Sequence, residues 1–377
     1  MNKLKSTLII GILLVSVLIV ISPISAATYN VYPGDDIEAI IEGASAGDTI
    51  YVHAGTQYPK GTISMQADHI TIIGDDPFTT IIDGTGLNDV ITTSTHNYMI
   101  VRNLTIQNAN DDAIEVQNYC EVTNCIIKNC SDGIVWDTEG SHNTIRYCTV
   151  LDCRDNGIEL FDDYGDIEDF VYNTIENCIV IGNKNHGIQL GNYNTVKNCL
   201  VADNWDEGFN IGDNNKIINC TISNNGVEYE GDGIDGGDNC EITNCIVTGN
   251  SDDGIDIHEG GLIQYCNSWG NEEQNYDEQG PGIGCISQDP KFVSGSYSWP
   301  GWYQSGVIDY FLSPGSPCID RGSTTSSALG LATGWSTTLT GRCDTNIVDM
   351  GFHFASKCVA PSLPMDRILK ILKENQE

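Results

Sequence analysis

The chain has 377 residues, with 52 acidic against 17 basic side chains, a formal net charge of −35, 40% apolar residues and 40 glycines. A field of that sign repels nucleic acid and anionic membrane surfaces, which excludes both as docking partners. The apolar fraction is that of a globular chain and excludes disordered and collagen-like classes.

In chain order, Lys3 and Lys5 precede an apolar run from Thr7 to Ile21, followed by the small residues Ser25-Ala26-Ala27. This pattern predicts a secretory signal over residues 1–27, either cleaved or kept as an anchor, with no membrane insertion once it is removed. The expected location is secreted or on the cell surface. Residues 28–97 read as an N-terminal cap with the first rungs of a repeat. Ile37, Ile40 and Ile41 lie at helical spacing and predict a short helix over the open end of a core; Asp48-Thr49-Ile50-Tyr51-Val52 predicts the first strand.

Regular repeats occupy 98–271. Cys125, Cys148, Cys178, Cys199, Cys220, Cys245 and Cys266 fall at intervals of 23, 30, 21, 21, 25 and 21, in matching contexts such as Thr123-Asn124-Cys125-Ile126-Ile127 and Lys197-Asn198-Cys199-Leu200-Val201. Leu104 fills the same slot one repeat earlier, so these cysteines are expected to be buried free thiols that pack as small apolar groups. Five residues after each comes a second column: Cys130, Cys153, Asn183, Asn204, Asn225, Asn250 and Asn271. A third column, Ile114, Ile134, Ile158, Ile188, Phe209 and Ile255, is entered through glycine in all but the first, and the Val227–Glu230 insertion delays Gly233-Ile234 by four residues. A period of 20–25 residues with short β-runs and no helical pattern predicts a stacked β-solenoid. Residues 272–356 read as irregular C-terminal rungs, and 357–377 as a tail with a short amphipathic helix over Met365–Lys373. Cys285, Cys318, Cys343 and Cys358 lie outside the cysteine spacing and are the disulfide candidates.

The Asn-Cys-x-Ile rungs, the Asn column and the Asp-Gly-Ile turns resemble the right-handed parallel β-helix family, which includes pectate lyases and carbohydrate-binding surface proteins. The opening around Gly47-Asp48-Thr49-Ile50 is similar to that family's N-terminal rungs, and Ser313-Pro314-Gly315-Ser316-Pro317-Cys318 and Asp349-Met350-Gly351 to its C-terminal rungs. The expected fold is all-β, a single right-handed parallel β-helix of about 10–12 rungs, with a helical N-terminal cap and irregular C-terminal rungs.

Inward positions on a solenoid are committed to packing, so function falls to the outward columns. One reads Asp112, Asp132, Asn156, His186, Glu207, Asp232, Asp253; its neighbour reads Glu115, Val135, Glu159, Gln189, Asn210, Asp235, Asp256. From Ile217 to Pro290 there is no Lys or Arg. Carboxylates stacked one rung apart either gain protons or hold a cation, and an oxygen-rich set suits Ca²⁺. Asp252-Asp253-Gly254-Ile255-Asp256 also resembles the calcium rung of one group of pectate lyases. That resemblance implies Asp252, Asp253 and Asp256 as ligands, with Asp235 or Asp232 completing the set. It further implies a Lys or Arg base on a later rung, where this chain has Asn275-Tyr276-Asp277. The remaining base candidates are His258, His186 and Lys184. Glu207, Asn210, Trp205 and Tyr229 are the candidate substrate contacts, with Trp269 and Tyr276 as further aromatic surfaces.

The expected function is Ca²⁺-dependent recognition of an extracellular or cell-surface acidic polysaccharide by a monomer, with lyase cleavage as its enzymatic form. Two other readings stay open. One is a non-catalytic glycan-binding or structural surface protein. The other is a glycoside hydrolase using paired carboxylates, although the Asn-Thr-Asp and Gly-His-Gly signatures of such enzymes on this fold are absent and Asn185-His186-Gly187 is a partial echo.

Overall fold

A computed structural model describes residues 26–355 apart from 94, 137–139, 162–170, 294–309, 339–342 and 345. The bulk of the signal segment, Cys358 and the C-terminal tail therefore lie outside the described residues. Three parallel sheets run the length of the solenoid. Sheet A has eleven strands, from Thr28–Val31 to Leu262–Gln264; sheet B has ten, from Gly55–Gln57 to Asn267–Trp269; sheet C has ten, from Ile63–Ser64 to Tyr276–Asp277. The protein is thus an all-β right-handed parallel β-solenoid of about eleven turns. The one helix among the described residues, Ile37–Glu42, is capped by the Asp36 side chain accepting from Ala39 N–H, and it buries Ile37 and Ile41 in the core. No helix among the described residues is long and apolar enough to cross a membrane.

Strict one-to-one register makes columns of the inward side chains. Ile114, Ile134, Ile158, Ile188, Phe209, Ile234 and Ile255 pair in sequence along sheet C and are all fully buried. The glycine that precedes each of them except Ile114 lies close to the next rung. A Cβ added at Gly187 would lie 2.7 Å from the Gly208 carbonyl oxygen and closer still to Val201 Cγ1.

The corners explain the Asn-Cys pairs. Asn124, Asn177, Asn198, Asn219 and Asn244, the residues just before ladder cysteines, adopt φ between 51° and 60°, a left-handed conformation that asparagine tolerates better than most residues. The cysteine that follows turns inward, and its thiol donates back to the carbonyl two residues earlier, as from Cys178 to Glu176 (3.4 Å) and from Cys266 to Gln264 (3.3 Å). Cys125 through Cys266 are buried free thiols, as their spacing predicts, and burial pushes groups such as Cys153 and Cys266 well above the ordinary thiol range. At the next corner Asn183, Asn204, Asn225, Asn250 and Asn271 donate amide to amide down the column, at 2.9, 2.9, 3.0 and 2.9 Å. Each carbonyl oxygen also accepts the backbone N–H of the preceding member, as Asn204 Oδ1 does from Asn183 N. A further column, unforeseen from the sequence, stacks His69, Tyr98, Tyr119, His142 and Tyr172 face to face at the turn from sheet C to sheet A, with centroids 4.5–5.3 Å apart.

The C-terminal segment corrects two expectations. Cys285 belongs to the ladder: its sulfur accepts the Cys266 N–H at 3.5 Å and its thiol is free. The last rung is only 19 residues long, so the spacing missed it. Cys318 is likewise a free buried thiol, and Asn267 Nδ2 donates to its sulfur at 3.2 Å. The described residues among 310–355 fold back as a strap along the outer face of sheet B. There Tyr310, Phe352 and Phe354 cover Leu151, Ile179, Ile181, Leu200 and Ala202. The left-handed asparagines anchor it: Asn198 Oδ1 accepts His353 N–H at 2.7 Å, Asn219 Nδ2 donates to Asp349 O at 3.0 Å, and Asn244 O accepts Gly351 N–H at 2.7 Å.

Ladder thiols are expected to react with a thiol reagent only after denaturation, checked by mass-mapped labelling of native and unfolded protein. Replacing Asn204 by Leu strands the side-chain amide and the backbone N–H of Asn183, both of which donate to Asn204 Oδ1, in a buried column. Each stranded group costs roughly 1–3 kcal/mol, so a denaturant melt should show a loss of at least about 2 kcal/mol, whereas an unchanged midpoint would reject the ladder as a source of stability.

Candidate functional site

Sheet C and the turn that enters it carry the outward acidic columns. Within the turn column the side chain of one rung accepts the backbone N–H of the next. Asp132 Oδ1 accepts from Asn156 N (2.7 Å), Asn156 Oδ1 from His186 N (3.2 Å), Asp232 Oδ1 from Asp253 N (2.8 Å) and Asp253 Oδ1 from Gln274 N (2.7 Å). The aspartates of this column therefore have a structural duty for one oxygen and keep the other, whereas Asn156 is fully engaged, its Nδ2 donating to Glu159 Oε2 at 2.9 Å.

At His186 and Glu207 the pattern changes, and the two side chains meet each other. His186 Nδ1 lies 2.5 Å from Glu207 Oε2 and 4.0 Å from Asp206 Oδ2, with the imidazole 13% and Glu207 18% exposed. Burial alone would lower the His186 pKa, but the Glu207 carboxylate outweighs it and the net shift is upward. Burial likewise opposes ionisation of Glu207, yet its contact with His186 holds it below the ordinary range. Asp206, partly buried and beside Glu207, is raised to about 6.

The aspartates proposed from the sequence fall into two groups. Asp232, Asp252 and Asp253 offer ligand atoms within 4.8 Å of one another, and so do Asp235, Asp256 and His258. Asp235, Asp256 and Asp277 stand in register on three successive rungs. Burial, then repulsion among neighbours including Glu278 and Asp277, raises Asp256 to about 6, while burial and Asp252 raise Asp232 to about 7. Asp256 Oδ1 is buried with no hydrogen-bond partner. Sequence reasoning missed Asp206, Asp277 and Glu278; the in-register partner of Asp256 was visible as Asp277 in Asn275-Tyr276-Asp277, read there only for its want of a cation.

The remaining candidates divide. Asn210 lies between Gln189 and Asp235 on the open face of sheet C. Lys184 sits with Nζ 5.1 Å from the centre of the Trp205 ring, so each occupies the other. The insertion folds onto the same residue, since Trp205 O accepts from Glu228 N and Tyr229 N, while the Tyr229 side chain stays exposed. Arg154 is tied to Ala109 O and Asn110 O. Trp269 is exposed, but Tyr276 is a structural residue: its hydroxyl donates to Ile286 O at 3.0 Å and accepts Ser268 N–H at 3.2 Å. A second acidic group lies toward the N-terminal end of the same face, where burial and then neighbouring carboxylates raise Asp112 to about 8 and Asp132 to about 7.

Comparison with known proteins bears on this arrangement. The family model described as the right-handed beta helix region matches residues 80–211 and 189–271, together just over half of the chain. No curated protein sequence matches. Among solved structures the chain is similar to pectate lyase Pel9A, at 17% identity over 87% of this chain and 98% of that one, with a TM-score of 0.50. It is also similar to an alginate lyase from Paenibacillus sp. str. FPU-7, at 14% identity over 70% of this chain and 98% of that one, with a TM-score of 0.45.

The raised aspartates fix a sign for pH dependence. Asp112 and Asp132 are held above their ordinary value of 3.8, so the folded state binds their protons more tightly than the unfolded chain does. Their contribution is complete below about pH 4 and is lost as pH rises through about 7 and about 8. In chelator, the melting temperature is expected to fall between pH 5 and pH 8. Asp112→Asn with Asp132→Asn should flatten that slope and stabilise the protein at pH 8 by on the order of 1–3 kcal/mol; a slope unchanged in the double variant would assign it elsewhere.

Proposed function

Because the chain belongs to the right-handed β-helix family, we propose that it acts on an acidic polysaccharide, which lies on the outer face of sheet C and is held there through Ca²⁺. The observation that carries this reading is the in-register stack of Asp235, Asp256 and Asp277 beside Asp232, Asp252 and Asp253, in a stretch with no Lys or Arg. An acidic protein can hold an acidic polymer only if something neutralises both. The donor set fits a hard cation: the offered atoms from the aspartates are carboxylate oxygens, Asp256 Oδ1 is buried and unpartnered, and Asp232 and Asp253 each keep one oxygen beyond the ladder bond. Asp235, Asp256 and the Asp232–Asp252–Asp253 group would hold the ion, which supplies charge neutralisation for a uronate carboxylate. Asn210 and the exposed Tyr229 offer hydrogen bonds at the edge of the same face. The similarity to a pectate lyase supports a polymer of the polyuronate class, and the predicted signal supports a substrate outside the cell.

The test is a panel of polygalacturonate, alginate and a neutral glucan, each with millimolar Ca²⁺ or chelator, scored for binding and for new chain ends. Binding to the acidic polymers that chelator abolishes is expected. Unsaturated ends mark elimination, whereas reducing ends without unsaturation select hydrolysis by the paired carboxylates. Indifference to all three polymers would overturn the reading.

A second outcome concerns the ion alone. Two carboxylates about 5 Å apart repel by roughly 3 kcal/mol at an effective dielectric near 20, so filling the site stabilises the fold by mass action. Ca²⁺ should raise the melting temperature. Asp253→Asn with Asp256→Asn should remove most of that gain while raising stability in chelator, because the amide that replaces the Asp253 carboxylate keeps an oxygen for the Gln274 N–H. Equal Ca²⁺ stabilisation in the double variant would place the ion elsewhere.

A further inference from the structure

The His186–Glu207 pair is unlike the rest of its column. Above and below it, side chains accept the next backbone N–H; here a buried carboxylate instead faces one imidazole nitrogen at 2.5 Å. His186 Nδ1 and Glu207 Oε2 are both shielded from solvent and neither has a hydrogen-bond partner among the described residues, so their 2.5 Å approach is an ion-pair contact. No described group engages Nε2, so it is the nitrogen that remains for a ligand, in an imidazole that is 13% exposed. The backbone is pinned as well, by Asn156 Oδ1 accepting His186 N–H at 3.2 Å. A carboxylate that fixes one ring nitrogen leaves the other with a set tautomer and direction, the arrangement that makes histidine an effective base.

From this geometry we infer that His186 is the catalytic base of this face and Glu207 its positioning residue, with Nε2 removing the proton α to the carboxylate of a bound uronate. The inference rests on the acidic-polysaccharide reading above. In the step, the proton passes to Nε2 and the C–H electron pair forms the carbon–carbon double bond. The carbon–oxygen bond β to the carboxylate breaks with its pair on the departing oxygen, which takes a proton from solvent. No oxidant or reductant is needed. The charged and titratable groups facing His186 are Glu207, Asp206 and Asp155, and Asp235 on the sheet feels both His186 and Glu207. His258 has no such fixing partner: it is exposed beside Asp235 and Asp256. Lys184 is held over Trp205.

The experiment follows unsaturated ends on polygalacturonate and alginate with Ca²⁺ present, across pH, for the native protein, His186→Gln, Glu207→Gln and His258→Gln. His186→Gln should lose at least about 100-fold in kcat, the usual share of a general base, with polymer binding and melting temperature retained. In the native protein, activity should rise with pH through a step above the ordinary histidine range. Glu207→Gln should move that step to lower pH, because the carboxylate is what raises it; a purely structural Glu207 would lower activity without moving the step. Cleavage within a few-fold of native in His186→Gln, or a comparable loss in His258→Gln alone, would overturn the assignment while leaving the lyase reading intact. Binding without unsaturated ends in the native protein would overturn it while leaving the binding reading intact. A Zn²⁺-dependent stabilisation lost in His186→Gln would instead make His186, Asp206 and Glu207 a ligand set and overturn the assignment too.

Discussion

Register between rungs, at a spacing of about 4.8 Å, is the constraint on which the structure depends. It repeats each side-chain decision at every turn of the solenoid. Inward, that repetition is favourable: isoleucine on isoleucine excludes water, amide on amide leaves donors and acceptors paired, and thiol after thiol fills a buried corner. Outward, the same repetition has a cost. Like charges placed in one column are held closer than they would be on an ordinary surface, and the rigid backbone prevents them from spreading. Burial first, and then repulsion within that geometry, raises Asp112, Asp132, Asp232 and Asp256.

What could be read from the sequence was whatever the register repeats. The cysteine slots, the asparagine column and the Gly-Ile steps are periodic, so their period discloses both fold and facing. The reason for asparagine before cysteine was hidden, because a left-handed φ leaves a preference in composition but no spacing of its own. The aromatic column from His69 to Tyr172 mixes His with Tyr, and the strap has no period at all, since a segment folded back along a face answers to that face rather than to its own sequence. Phe352 and Phe354 look like strand residues in the sequence; their partners are Leu151, Ile179 and Ile181, nearly two hundred residues earlier.

The site shows the same division. His186 and the acidic residues of the two columns were legible as outward, whereas Asp206, Asp277 and Glu278 were not, nor was the grouping, because a solenoid brings together neighbours along two directions at once. Asp252 joins Asp232 and Asp253 through the turn column, whereas Asp256 joins Asp235 and Asp277 through the strand. His186 and Glu207 stood side by side in the column as written. Only the distance between their atoms turns two members of a column into a pair with one open nitrogen.

The strap then bears on where chemistry can occur. By covering the apolar outer face of sheet B it removes that face from solvent, and sheet A presents mixed charges such as the Arg146–Glu121 pair at 2.7 Å, which neutralise each other locally. Sheet C carries the unbalanced charge: among the described residues, Lys184 and Arg154 in the turn that enters it are engaged by Trp205 and by backbone carbonyls. Its unbalanced charge must be met by protons, by a cation or by a ligand that brings one. That requirement differs along the face. Toward the N-terminal end Asp112 and Asp132 are raised far enough to meet it with protons near neutral pH, whereas Glu207, pinned by His186, stays ionised. An ionised carboxylate fixed against an imidazole, one rung from the start of an unneutralised acidic cluster, is where a charged substrate and a proton acceptor can be brought together on this molecule.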